Sequence, residues 1–204
     1  MLAIFGILTI AGYASSARGG SSTGSSRIPF YLSVVVAQWM LVRYISFGLR
    51  RRNHSLTVVT GVRAPLSAWL LDAVVAAAFF FAARGALYVV RRLVGPYDDH
   101  SSAILPRSTA EAALWIAVAI TAGICEEMVF RGYLQAQFAA WTHSPVLAVL
   151  LQGVVFGVSH GYQGWRSTVV ITIFGILFGA LAAFRGSVRA GILAHAATDL
   201  LPIL

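Results

Sequence analysis

Six side chains in the second half of the chain are of types and spacings that could do acid–base chemistry: Glu126, Glu127, Arg131, His160, His195 and Asp199. Glu127 and Arg131 stand four apart with the acid first, the favourable order for an ion pair along a helix, and are expected to neutralise each other. Glu126 lies about 100° further round the same helix and so can point elsewhere, towards a water or a substrate. His160 follows Phe156 by four residues, flanked by Ser159 and Gly161. His195 and Asp199 repeat the four-residue spacing inside an apolar run, where each needs a polar partner to stay buried. Each group alone has a plain alternative, an interfacial salt bridge or a satisfied histidine. Together, two imidazoles and two or three carboxylates around one water form the equipment of general acid–base hydrolysis.

The elements that must position these groups are apolar. The 204 residues are 58% hydrophobic and 11% charged, against about a quarter charged in an ordinary soluble domain. Runs long enough for a hydrocarbon core of about 30 Å, roughly 20 residues each, recur at Pro29 to Leu49, Pro65 to Val90, Thr109 to Phe130, Pro145 to Tyr162, Thr168 to Phe184 and Val188 to Leu204. The reading is an all-α, polytopic integral membrane helix bundle of about six to eight transmembrane helices, a multi-pass protein of the cell membrane. Three runs begin at a proline, which suits the first turn of a helix. Unbroken runs of this length also exclude a transmembrane β-barrel, whose strands alternate over about ten residues.

The chain divides into residues 1–28, a short hydrophobic segment with a frayed or partial helix and a Ser/Gly-rich loop; 29–108, N-terminal transmembrane helices; and 109–204, a catalytic transmembrane core. Glycines recur every fourth residue at Gly153, Gly157 and Gly161, and small residues at Gly175, Gly179 and Ala183, a pattern that lets helices approach closely. The net charge of +8 comes from arginine alone. These arginines sit mostly between apolar runs and on both sides of the bundle, so they leave orientation open, although the Arg50, Arg51, Arg52 cluster favours the cytoplasm. No basic stripe interleaved with aromatics is present, which excludes nucleic acid as a partner.

Glu-Glu-Met-Val-Phe-Arg at 126–131, Phe-Gly-Val-Ser-His at 156–160 and His-Ala-Ala-Thr-Asp at 195–199 resemble, in order, the three motifs of the CAAX-protease and bacteriocin-processing family of intramembrane endopeptidases, also called CPBP or Abi. The resemblance covers Thr109 to Leu204. It implies that Glu126 with His160 holds and deprotonates the attacking water, that His195 and Asp199 steady the oxyanion, and that Glu127 and Arg131 are scaffold or substrate-orienting groups. No cofactor is required on this reading. The implied partners are the lipid bilayer and a membrane-associated peptide or protein substrate. That substrate is either a prenylated protein losing a C-terminal tripeptide or a secreted peptide handled in processing and self-immunity.

An ionised Asp199 would repel an oxyanion, so it is either protonated or orients His195 from behind. A third possibility makes Glu126, His160 and His195 ligands of a divalent metal such as zinc, with Asp199 behind a ligand histidine. The alternatives in function are a non-proteolytic membrane scaffold or regulator of the same fold and, last, a proton-coupled transporter. The remaining polar groups read plainly. His54, His100 and His143 fall in loops, Arg43 and Arg84 snorkel or pair locally, and Cys125 is a small buried hydrophobe. Asp72 sits in an apolar run and could face the same cavity, but no motif supports it and it stays outside the site.

Overall fold

The computed structural model describes residues 26–95 and 104–201, and all of its regular structure is helical. The N-terminal hydrophobic segment, most of the Ser/Gly-rich loop and His100 lie outside the described residues. Helix α1 covers Ile28–Arg50, and a single turn, α2, covers Leu56–Val59. Helix α3 covers Leu66–Val94. A continuous helical stretch from Thr109 to Thr142 comprises α4 (Thr109–Glu126), a π-helical segment (Glu127–Leu134) and α5 (Gln135–Thr142). Then come α6 (Pro145–Ser159), a 3-10 turn (Gly161–Gln163), α7 (Trp165–Arg185) and α8 (Arg189–Leu200).

Four of these stretches, α1, α3, Thr109–Thr142 and α7, are long and apolar enough to cross a membrane. The other two expected spans are shorter. α6 has 15 residues and α8 has 12, so at 1.5 Å per residue α8 covers only about 18 Å of a core about 30 Å thick. The third span, expected to end at Phe130, runs on to Thr142 because Arg131 is buried and partnered, so the charge does not mark an exit to water. Pro29 and Pro145 occupy the first turns of α1 and α6 as expected, whereas Pro65 precedes α3 as its extended N-cap residue. Phe47, Leu70, Val74, Phe81 and Leu93 point outward from α1 and α3, an apolar exterior suited to lipid.

The core is organised around α8. It packs against α4 on one side and α3 on the other, while α1 lies on α4 and α7 pairs with α6. The glycine pattern explains the last pair. A Cβ on Gly175 would meet Gly153 Cα at 2.9 Å, and one on Gly157 would meet the Thr168 carbonyl oxygen at 2.9 Å, so the two backbones touch where side chains would hold them apart. Gly161 falls in the 3-10 turn beyond this contact. His54, His143, Arg43 and Arg84 are exposed, and Cys125 is a buried free thiol. Asp72 is fully buried and does not reach the site. It receives Arg185 Nε at 2.9 Å on Oδ1 and Arg189 Nε at 2.6 Å on Oδ2, tying α3 to the α7–α8 corner.

Candidate active site

The π-helical segment begins at Glu127, directly after Glu126. Such segments are rare and place one extra residue in a turn, and here the widened turn carries the first motif. The Glu127–Arg131 pair survives it, with Arg131 Nη1 3.0 Å from Glu127 Oε1 and both side chains wholly buried. The guanidinium lies 4.0 Å over the Phe156 ring and 5.5 Å from that of Phe178. It is thus held between a carboxylate and aromatic faces, the environment in which a buried arginine is tolerated.

Glu127 also grips His195, whose Nδ1 stands 2.8 Å from the same Oε1. Since a carboxylate oxygen accepts, Nδ1 carries the hydrogen and Nε2 faces away from Glu127. On that far side are Asp199 Oδ2 at 3.6 Å and Glu126 Oε2 at 3.8 Å. The group behind the ring is therefore Glu127, and Asp199 stands in front. α8 comes this close because residue 191 is glycine: a Cβ there would lie 2.7 Å from Glu127 Oε2.

His160 ends α6. Its Nδ1 is 2.9 Å from the Phe156 carbonyl oxygen, which requires that nitrogen to donate and leaves Nε2 with the lone pair in the neutral ring. The imidazole packs beside the Phe156 and Tyr162 rings, at 4.7 and 6.2 Å.

Glu126, His160, His195 and Asp199 all line one cavity of about 290 Å³, whose walls include Phe30, Tyr31, Leu87, Trp115 and Phe174. Glu127 and Arg131 are not among its lining residues and lie behind His195. Three residues outside the motifs also take part. Gln38 of α1 donates from Nε2 to Glu126 Oε1 at 2.8 Å, Trp115 Nε1 donates to the Asp199 carbonyl at 2.8 Å, and Tyr162 lines the cavity beside His160. Sequence reasoning missed all three; an amide within an apolar span is the signal that could have marked Gln38, since it is costly facing lipid, and Trp115 and Tyr162 give no comparable one. Among the described residues, no three His, Cys, Asp or Glu side chains are disposed to hold a metal ion, Glu126, His160 and His195 included.

No curated protein and no solved structure matches the chain. A family model does match, over residues 108–201, and its description is type II CAAX prenyl endopeptidase, Rce1-like. The match contains all six residues named from the motifs and excludes Gln38. With an all-helical apolar bundle around these residues, the chain from position 108 to 201 is similar to the Rce1-like family of type II CAAX prenyl endopeptidases.

Proposed function

We propose that this protein is an intramembrane endopeptidase that hydrolyses a peptide bond with a water activated by Glu126 and His160. The observation that carries the reading is the convergence of Glu126, His160, His195 and Asp199, from three separate helices, on one cavity. A charged side chain at the membrane centre costs on the order of 2.5–3.5 kcal/mol, and a water-filled working site accounts for the convergence of two carboxylates and two imidazoles in an apolar bundle.

In the proposed reaction, water sits between the Glu126 carboxylate and His160 Nε2. Glu126 takes one of its protons as the oxygen attacks the scissile carbonyl. With both ring nitrogens protonated, His195 presents Nε2–H to the oxygen that gains charge, held in place by Glu127 and, through it, by Arg131. When the C–N bond breaks, the proton on Glu126 passes to the departing amine. Asp199, at the front of His195, holds the imidazolium by its charge. No metal enters this scheme. The substrate is a membrane-associated peptide or protein reaching the cavity from the lipid phase, in the cell membrane. α1 and α3 both line the cavity without packing along each other, which supports lateral entry.

Purified protein in detergent or vesicles would be given a panel of membrane-tethered peptides, prenylated C-terminal sequences and secreted-peptide precursors among them. Wild type should cleave, Glu126→Ala and His160→Ala should not, and a strong chelator should leave the rate unchanged. Inhibition by chelator would replace this mechanism with a metal-dependent one. Full activity in Glu126→Ala would remove the assigned site altogether, and a folded wild type inactive on every peptide would favour a binding role for the same fold.

A further inference from the structure

Gln38 lies on α1, outside the matched segment, yet it is the residue that fixes the carboxylate on which the proposed chemistry turns. Its Nε2 is 2.8 Å from Glu126 Oε1. An amide oxygen at that distance would face a second acceptor, so the nitrogen end must point at the carboxylate. The bond uses one of the two carboxylate oxygens. The other, Oε2, is left on the side of His195 Nε2, where a water can reach it. Gln38 also lines the cavity, and its own Oε1 is buried without a hydrogen-bond partner. Nothing in the fold of α1 requires this amide. The helix packs on α4, and Tyr31, Val42, Ile45 and Leu49 are buried along it.

We infer that Gln38 is a positioning residue: its Nε2–H locks the Glu126 carboxylate so that Oε2 faces the attacking water, making α1 part of the active site. This inference rests on Glu126 being the general base. A bound carboxylate that may rotate freely spends only part of its time aligned, and misplacement by about 1 Å can lower a rate by about 100-fold. The effect belongs in kcat, because Glu126 does not hold the substrate before the water attacks.

The test uses the full-length protein and whichever membrane-tethered peptide the wild type cleaves, with kcat and KM measured for Gln38→Met, Gln38→Ala and Glu126→Ala. Methionine keeps the length and volume of glutamine while removing its donor. The expected result is a fall in kcat of about 10- to 100-fold for Gln38→Met, KM within about threefold, and a thermal midpoint in detergent equal to that of wild type. Gln38→Ala should fall at least as far. Added to Glu126→Ala, Gln38→Met should lower the residual rate no further, as two residues acting through one group are not additive. An unchanged kcat in Gln38→Met overturns the inference. So does a raised KM with kcat intact, which would make Gln38 a substrate-binding residue, and so does a loss of the folded protein, which would make it a structural one. If Glu126→Ala itself remains active, the proposed site fails first, and the two failures are thereby told apart.

Discussion

Helix α8 carries a charged cluster at each end, and the two are built on opposite rules. At its start Arg189 meets Asp72, which also receives Arg185, and a further Arg189 nitrogen, Nη1, donates to the Gly61 carbonyl. Both Asp72 oxygens have donors and the carboxylate is sealed from solvent. Further along α8, His195 Nε2 faces two carboxylates at 3.6 and 3.8 Å, too far for hydrogen bonds. There Gln38 Oε1 and Glu127 Oε2 are buried without partners, and Gln38, Glu126, His195 and Asp199 border an open cavity. A closed set of ion pairs has no capacity left for a substrate, whereas an open set has room for water and for charge that develops during a reaction. The first cluster ties α3 to the α7–α8 corner, and the second is the one the proposed reaction uses.

The sharpest way to break this contrast is to remove one group from each cluster. Glu126→Ala and His160→Ala are expected to lower peptide cleavage by about 10²- to 10⁴-fold, the usual effect of losing a positioned acid or base, with little change in the unfolding midpoint. Asp72→Ala should do the reverse. It leaves two arginines without their carboxylate, which costs about 3 kcal/mol, towards the lower end for a broken buried pair because Arg185 is partly exposed. Denaturant unfolding in detergent would measure that loss, while the folded fraction keeps its specific activity. If Glu126→Ala destabilised the protein as much as Asp72→Ala and left the folded fraction active, the two clusters would be alike and both structural.

A smaller effect probes the join between them. Gly191→Ala places a methyl 2.7 Å from Glu127 Oε2. Overpacking of this kind costs about 1–3 kcal/mol, and Glu127 can yield only by loosening its hold on His195. The expected outcome is a modest drop in stability together with a fall in kcat of roughly tenfold, an estimate for a small misalignment. Stability lost with kcat unchanged would show that the Glu127–His195 contact does not orient the working ring.

Much of this was legible in the chain because it is local. The i,i+4 spacing of Glu127 and Arg131 predicted their pairing, since a helical turn alone brings them together. The glycine series at 153 and 157 and at 175 marked the α6–α7 contact for the same reason. What escaped was decided by distant partners. Asp72 reads as a stray acid until Arg185 and Arg189, 113 and 117 positions away, close on it. Gln38 shows its use only when α1 is laid against α4. The helix end expected at Phe130 moved to Thr142 because aromatic rings and Glu127 shelter Arg131, and no local pattern announces that shelter. The spacing left open whether Asp199 orients His195 from behind, and the group hydrogen-bonded to Nδ1 is Glu127, on another helix.

A third kind of charge sets the lower bound of the comparison. Arg92, near the end of α3, is exposed and donates from Nε and Nη2 to the Tyr88 hydroxyl at 3.0 and 2.7 Å, four residues back on the same helix. It neither closes a buried set nor borders the cavity, as Arg91 beside it does. Such a contact exchanges one solvated arrangement for another, so Arg92→Ala should shift stability by less than about 0.5 kcal/mol and leave kcat and KM where they were. A measurable fall in either kinetic constant would mean that charge at the helix end acts on the site from outside the cavity. In that case the division between closed and open clusters would have to be redrawn to include the charged ends of the helices around them.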